Sequence, residues 1–524
     1  MRQFADGRSV RFGPHSACRC FSVDRAAWKW TEMRFRRHMR SCRPRRWVKA
    51  AVGAACSALL VASCSAPTVV QGRPLSMLWD PDRVGGLPAT DGPSGFRPNA
   101  AQPTGTVENT DNGEMDRLAL SAVNDIEEFW KQNYSESLEG TFTPISSLLS
   151  YDSDDPKSPS ACGERLYQLV NAFYCPPDDL MAWDRGSLLP GASKYFGPMS
   201  VPAVIAHEYG HAVQHMADLV GPSTPGLVAE QQADCFSGAY VRWVAEGKSP
   251  RFTLSTTDGL DHVLAGAIDL RDPIMTVDDE SANPHGTALD RVSAFQMGFD
   301  DGPAACAKID EDEIEKRRGD IPTVLQVDPE GTPETGQVEI NDDTLSTLME
   351  FLDTTFKPAN PPTLSTDATN CSDAKASKPA SYCPGTNVIN VDMPALQEMG
   401  AEADEDQLVL LQGDNTALSV VTSRYMLAIQ HEKGVALDSP VAALRTACLT
   451  GVAQHKMAEP ADLPSGKSLV LSAGDVDEAI SGLLTNGLVA SDTNGNTVPA
   501  GFTRILAYRT GLTGDVDQCY QRFS

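Results

Sequence analysis

The most restrictive feature of this chain is an internal repeat, in which the second half follows the first at a nearly constant offset of 208 to 216 residues. The segment AFYCP at 172–176 returns as ASYCP at 380–384, and VIAHEYGHAVQH at 204–215 returns as VVTSRYMLAIQH at 420–431. Self-similarity at a fixed spacing indicates duplicated structural units. The sequence therefore predicts two copies of one domain.

The first copy contains a predicted helix with a metal-binding pattern. Apolar residues recur at helical spacing from Ser200, which can cap the helix, to a Gly-Pro stop at 221–222. Within it, His207 and His211 lie four residues apart on one face, with Glu208 beside them. Two imidazoles so placed can hold one zinc ion, and the glutamate can act as the base of a hydrolase. The alternative is a surface helix that carries two histidines by accident.

A catalytic zinc site needs a third protein ligand. A second helical pattern covers 227–246, and Glu230 and Asp234 share one face of it. Glu230, nineteen residues after His211, is the best candidate for the third ligand. Asp234, one turn later, can accept a hydrogen bond from a ligand imidazole. The alternative for both carboxylates is a solvated acidic edge of the helix.

Comparison of the two copies separates the proposed chemistry from the framework. Five polar residues of the first copy are replaced in the second, where His207, Glu208, His211, Glu230 and Asp234 align with Ser423, Arg424, Leu427, Ala443 and Ala447. Their neighbours are retained, among them Tyr209, Ala212, Gln214 and His215. A solvated acidic edge does not predict such a joint loss. We therefore expect one zinc ion per chain, in the first copy only, and a structural role for His215.

Further candidates flank this set. His285 aligns with Val498 and could donate to the oxyanion that forms when water attacks a carbonyl group. A loop histidine satisfied by nearby backbone is the alternative. Tyr240 is a weaker candidate for the same role, because it fits the apolar face of its helix. The strand-like run DLMAWD at 179–184 could form a sheet edge for an extended substrate, and its Asp184 is interpreted as structural.

The segments HEYGHAVQ, AEQQADCFSG, AFYCP and HGTALDRVSAFQMGF resemble the neutral zinc metallopeptidases of bacteria, which belong with the thermolysin-like gluzincins. The resemblance covers roughly residues 115 to 310, with several motifs in the expected order. It implies an α+β, mainly helical zincin-like domain, here tandemly duplicated. It also implies that His207, His211 and Glu230 bind zinc and that Glu208 is the catalytic base.

Cysteine usage indicates an oxidising compartment. Beyond residue 100 each copy has four cysteines at matching places, namely Cys162, Cys175, Cys235 and Cys306, then Cys371, Cys383, Cys448 and Cys519. An even, repeated set favours disulfides, and three pairings are open in each copy. Short spacing favours Cys162 with Cys175 and therefore Cys235 with Cys306, and likewise Cys371 with Cys383 and Cys448 with Cys519. A zinc-bound Cys235 thiolate is the competing interpretation, weakened by the retention of Cys448.

The N-terminal region carries an export pattern. A basic run at 39–49 precedes an apolar run at 50–63 that is too short to span a bilayer. The run ends in VASC, which resembles the lipobox of bacterial lipoproteins and predicts lipidation of Cys64. Ordinary cleavage and release is the alternative. The predicted organisation is an upstream extension from a mistaken start at 1–38, a lipoprotein signal peptide at 39–64, a disordered tether at 65–112, a catalytic domain at 113–312, an acidic linker at 313–340 and a zinc-less copy at 341–524.

The net charge of the chain limits the kinds of partner that are expected. Residues 1–63 carry a net charge of +11, which leaves −38 for the remainder of a chain whose total is −27. So acidic an exported chain disfavours nucleic acid and anionic lipid surfaces as partners. The sequence predicts an exported zinc metallopeptidase that acts on peptide or protein substrates and is held at the outer face of the cell membrane by a lipid anchor. The second copy could hold substrate, cover the cleft or bind another envelope protein. The rival interpretation is a non-catalytic binding or scaffold protein.

Overall fold

The computed structural model describes residues 79–276, 285–327, 336–367, 371–404 and 410–524. Its helices are α1 (Glu114–Ser137), α2 (Leu188–Phe196), α3 (Ser200–Met216), α4 (Gly226–Ala245), α5 (Asp258–Asp269), α6 (Ala288–Asp301), α7 (Pro303–Cys306), α8 (Glu311–Arg318), α9 (Asp342–Phe356), α10 (Met393–Met399), α11 (Asp414–Glu432), α12 (Pro440–Met457), α13 (Asp475–Thr485), α14 (Gly501–Leu512) and α15 (Val516–Arg522). Its strands are β1 (Arg83–Val84), β2 (Leu87–Pro88), β3 (Gly95–Phe96), β4 (Ser147–Tyr151), β5 (Ser160–Ala161), β6 (Glu164–Arg165), β7 (Ala172–Cys175), β8 (Leu180–Asp184), β9 (Phe252–Thr253), β10 (Met275–Thr276), β11 (Val324–Leu325), β12 (Thr363–Ser365), β13 (Ala380–Cys383) and β14 (Val388–Val391). The predicted export signal and Cys64 lie outside the described residues.

The prediction of an α+β, mainly helical fold is confirmed, and the two halves present similar elements in the same order. In the first half α1 precedes a three-stranded sheet, which is followed by the helices α2 to α6. In the second half α9 precedes a three-stranded sheet, which is followed by α10 to α14. Helices from both halves pack against each other through α5, α6, α13 and α14.

Each half has a mixed sheet with the same pairing. The strand orders are β4-β8-β7 and β12-β14-β13, and each central strand pairs parallel with the first and antiparallel with the third. β8 is therefore central and fully buried, so the prediction that the run DLMAWD forms a sheet edge is wrong. A central strand has no free backbone groups to pair with a substrate, because both neighbours use them. Asp184, at its end, accepts hydrogen bonds from the backbone amides of Gly186, Ser187 and Leu188, which closes the following turn.

Glycines set the closest helix crossings. A Cβ atom at Gly298 of α6 would clash with the carbonyl oxygen of Cys235 in α4, and one at Gly238 would clash with that of Phe295. The equivalent crossing of α12 and α14 has Gly451 and Gly511 against Tyr508 and Cys448. Such contact between backbones requires residues without side chains. At this close crossing, Arg291 of α6 donates to Asp234 of α4.

The four disulfides join the cysteines in the pairs that spacing favoured. Cys162 bonds to Cys175 and Cys235 to Cys306, while Cys371 bonds to Cys383 and Cys448 to Cys519. The longer loop in each half has the same sequence separation of 71 residues. Because its sulfur is bonded to Cys306, Cys235 cannot supply a thiolate to a metal.

Two segments differ from the predicted tether and linker. Residues 79–112 lie against the helical body, where Val84 is fully buried and β3 pairs with β9. Residues 313–318 of the predicted linker lie in α8, whose Arg318 donates to the carboxylate of Asp290. Composition did not predict this order, because the short strands and hydrogen-bonding side chains of these segments are stabilised only by partners that are distant in the sequence. Among the described residues, the helices are too short or too polar to cross a bilayer.

Candidate metal centre

The predicted helix α3 carries both histidines toward one point. It begins at Ser200, whose hydroxyl donates to the carbonyl of Gly197, and it ends at Met216. The imidazole rings of His207 and His211 meet edge to face with their centroids 5.0 Å apart. This is the arrangement expected for residues four apart on one helix face.

Helix α4 returns across α3 and brings Glu230 to the same point. Its Oε2 atom lies 3.1 Å from His207 Nε2 and 3.6 Å from His211 Nε2. Candidate ligand atoms of the three residues all lie within 4.8 Å of one another. In a tetrahedral zinc site with ligands at 2.0–2.1 Å, ligand atoms are about 3.3 Å apart. The observed separations therefore have the size that a zinc site requires.

Asp234 and Arg291 orient the first imidazole. His207 Nδ1 donates to Asp234 Oδ1 at 2.8 Å, and the same carboxylate accepts hydrogen bonds of 3.0 and 2.8 Å from the guanidinium of Arg291. Arg291 reaches Asp234 from α6 across the glycine crossing, and it is 5 % exposed. Burial favours neutral Asp234, but Arg291 and His207 outweigh it and hold the pKa of Asp234 below its usual range.

Gln214 orients the second imidazole. Its amide nitrogen donates to the Gln232 side chain at 3.2 Å, which leaves its Oε1 to accept from His211 Nδ1 at 3.0 Å. Comparison of the two copies had placed Gln214 in the framework, because it is retained as Gln430. Its position three residues after His211, on the same helix face, was the signal that could have found it.

The donor set fits a cation. With both Nδ1 atoms engaged as donors, the Nε2 lone pairs of His207 and His211 both face Glu230 Oε2. Acceptors at such distances repel one another unless a proton or a metal ion lies between them. Without an ion, protons take that place, because Asp234 and Glu230 outweigh the effect of burial and raise the pKa of His207 to about 10. Against the effect of burial, the two histidines hold the pKa of Glu230 well below its usual range.

Glu208 lies beside this set and is not engaged by it. Among the described residues its carboxylate has no hydrogen-bond partner, and burial raises its pKa despite the nearby histidines. A carboxylate with a raised pKa that is free to accept a proton suits a general base.

His285 lies at the exposed side of the same cluster. Its side chain is 47 % exposed, with Nδ1 donating to Asp272 at 3.2 Å and Nε2 lying 3.8 Å from Glu230 Oε2. The Asp272 contact turns Nε2 toward the cluster. Sequence reasoning missed Asp272, which lies thirteen residues before its partner and carries no local signal.

Other candidates lie outside the cluster. Tyr240 is buried and donates its hydroxyl hydrogen to Asp125 at 2.9 Å, so it packs in the core. His215 is exposed near the Tyr174 ring, as His431 is near Tyr382 in the second half.

The corresponding place in the second half holds different chemistry. Arg424, which aligns with Glu208, is 1 % exposed and donates to the carbonyl of Ala380 at 2.9 Å and to Ser491 at 2.8 Å. Its guanidinium therefore serves as a buried anchor between segments of this half. Elsewhere in the described second half, Asp414, Asp475 and Glu478 form a buried acidic group. This group does not correspond to the His-His-Glu cluster.

The first half of the chain is similar to a zinc metallopeptidase family. Residues 76–222 match the sequence model of the family described as "Putative neutral zinc metallopeptidase". The match includes α3 with both histidines and ends before Glu230. It agrees with the resemblance found in the sequence motifs, over the residues matched.

Three individual relatives are each named an uncharacterized protein. The chain is 30% identical over 169 residues to the protein Rv2575 of Mycobacterium tuberculosis and to Mb2605 of Mycobacterium bovis, which covers 28% of this chain and 57% of each relative. It is 31% identical over 162 residues to YpfJ of Escherichia coli K12, covering 26% of this chain and 54% of that relative. The chain thus spans about half the length of the curated relatives it matches. No solved structure is similar to it at a significant level.

Proposed function

We propose that the protein is an exported zinc-dependent metallopeptidase that hydrolyses peptide bonds. The observation that carries this proposal is the convergence of His207, His211 and Glu230 on one point, with both imidazoles oriented through Nδ1 and Glu208 alongside. The family described for residues 76–222 supports the same class of activity. When bound by these three residues, zinc supplies Lewis acidity, which lowers the pKa of water and polarises a carbonyl group.

The chain's own residues then have distinct roles. Glu208 takes the proton of the attacking water and returns it to the leaving amine, for which its raised pKa is suited. With both ring nitrogens protonated, His285 donates from Nε2 to the developing oxyanion, while Asp272 accepts from Nδ1 and directs the ring toward the cluster. Asp234 and Gln214 keep the Nε2 lone pairs of the two histidines available to the ion.

The second half is a tandem copy of the first that binds no zinc at the equivalent place. The matching element order, sheet pairing, glycine crossings and disulfide separations support a duplication. Ser423, Arg424 and Leu427 supply no ligand set, so the expected stoichiometry is one zinc ion per chain.

Export and anchoring complete the proposal. Four disulfides suit an oxidising compartment outside the cytoplasm. Lipidation of Cys64 would tether the protein to the outer face of the cell membrane, while the acidity of the chain disfavours nucleic acid as a partner.

The test combines metal content with a variant of the base. Wild type should contain one zinc per chain by elemental analysis, His211→Ala should contain none, and Glu208→Gln should keep zinc while losing hydrolysis of a fluorogenic peptide library. His215→Ala, an exposed histidine on the same helix, is the matched control and should keep both. If Glu208→Gln and wild type behave alike in every peptide assay while both hold zinc, the rival reading as a non-catalytic binding or scaffold protein replaces this one.

A further inference from the structure

The two halves exchange helix caps. Asp477, on α13 of the second half, accepts hydrogen bonds of 2.9 and 3.0 Å from the backbone amides of Ala288 and Leu289, at the start of α6 in the first half. Both carboxylate oxygens of Asp261, on α5 of the first half, accept from the single amide of Gly501, at 2.8 and 3.0 Å. Gly501 lies at the start of α14 in the second half. Each half therefore supplies a carboxylate to the other.

The exchange follows the internal repeat. Asp261 and Asp477 are 216 residues apart, the same offset that relates α3 to α11. Ala288 and Gly501 are 213 residues apart, the offset that relates Arg291 to Arg504. The two contacts therefore occupy equivalent positions in the repeat, although Asp477 accepts from two amides and Asp261 from one.

The cap from Asp477 completes the first turn of α6. The first four amides of a helix have no partner within it. In α6 these are the amides of Thr287, Ala288, Leu289 and Asp290; that of Thr287 donates to the Asp290 carboxylate and that of Asp290 donates to the Thr287 side chain. The amides of Ala288 and Leu289 remain, and both donate to Asp477. The described residues of the first half alone therefore offer these two amides no partner. Asp477 is 6 % exposed, so water is a poor replacement.

The first turn of α6 carries Arg291, which supports the metal centre. Arg291 is the fourth residue of α6 and holds Asp234, which in turn holds His207 Nδ1. On the opposite side, α14 carries Arg504, whose nearest charged partner among the described residues is Asp261 at 3.4 Å. Arg504 does not support a metal-binding set in this way, because Ala447 takes the place of Asp234 in the second half.

We propose that Asp477, from the half without the zinc site, is a positioning residue for the zinc site of the other half. The inference rests on the proposed function and gives the second half a defined role. By capping α6, Asp477 fixes Arg291, and through Arg291 and Asp234 it fixes the ring of His207. The second half therefore completes the metal centre without contributing a ligand.

The chain supplies its own matched control for the test. Asp477→Ala and Asp261→Ala remove equivalent caps from opposite halves, and both should lower the melting temperature of the metal-free protein. Only Asp477→Ala should weaken zinc binding in competition with a fluorescent chelator, by about 10-fold, the lower end of the effect of losing a group bonded directly to a ligand, because Asp477 acts through Arg291 and Asp234. Amide exchange at 288–291 should accelerate in the same variant.

Asp477→Asn, which keeps one acceptor, should bind zinc with intermediate affinity and serves if the alanine variant does not fold. Equal zinc affinity in wild type and both Asp477 variants would overturn the inference and leave the proposed function intact. Equal weakening by Asp477→Ala and Asp261→Ala would also overturn it, since the effect would then be general loss of stability. A wild type that binds no zinc would overturn the proposed function and this inference together.

Discussion

Replacing Asp234 by Asn tests how the metal centre is held, because the change keeps the side-chain shape and removes one charge. In the native protein this carboxylate accepts from His207 Nδ1 at 2.8 Å and from two nitrogens of Arg291 at 3.0 and 2.8 Å. All three groups are buried. The variant therefore weakens the orientation of an imidazole and leaves a buried guanidinium without its carboxylate.

Two different losses are expected. Breaking a buried ion pair by removing one partner costs about 3–5 kcal/mol of unfolding free energy. Because Arg291 keeps its hydrogen bond to the carbonyl of Leu270, we expect a loss at the lower end of this range, about 3 kcal/mol of unfolding free energy. Zinc affinity should fall by about 10- to 100-fold, since the oriented imidazole loses its charged acceptor. This second loss corresponds to about 1.4–2.7 kcal/mol of binding free energy.

A double-mutant cycle separates the two losses. Urea unfolding of the metal-free forms of Asp234→Asn, Arg291→Gln and the double variant should give a coupling of about 2 kcal/mol or more, because the double variant contains no unpaired buried charge. Chelator competition should show that the double variant still binds zinc weakly. Arg504→Gln is the control arginine in the second half and should leave zinc affinity unchanged. Wild-type zinc affinity and wild-type stability in Asp234→Asn would refute the reasoning.

Two further predictions concern the pH dependence of stability and the helix crossing. Burial, together with the charge of Asp414, raises the pKa of Glu478 from its ordinary 4.5 to about 7, so its contribution to stability is present below pH 4.5 and is lost as pH rises through 7. Between pH 5.5 and 8 this loss is about 2 kcal/mol, and urea unfolding of Glu478→Gln should show a correspondingly flatter profile; an unchanged slope would contradict it. Gly298→Ala should cost about 3 kcal/mol by urea unfolding, because its Cβ would clash with the Cys235 carbonyl, and Gly511→Ala should cost a similar amount in the second half. Unchanged unfolding free energy in either alanine variant would show that the helices do not cross as closely as described.

Comparison of the two copies predicted much of the candidate site and misjudged part of it. Residues lost together in the second half included the two histidines and Glu230, which lie within one cluster, and the adjacent Glu208 and Asp234. Gln214 and Arg291 were missed as supports because both are retained, as Gln430 and Arg504. Retention separates framework from chemistry only when a residue has one role. Here the same side chains pack in both halves and orient the imidazoles in only one.

The sequence by itself determined the features that depend on neighbours along the chain. Helical spacing put His207 and His211 on one face with Glu208 beside them, since residues four apart on a helix are neighbours. Short spacing favoured the pairs Cys162–Cys175 and Cys371–Cys383, which left the two distant pairs as the remainder.

Only the tertiary structure decided which distant groups meet. It made β8 a central strand, placed Asp272 beside His285 and carried the carboxylate of Asp477 across to the start of α6. These contacts depend on the crossing of packed helices and on partners far apart in the chain, and no local pattern encodes either.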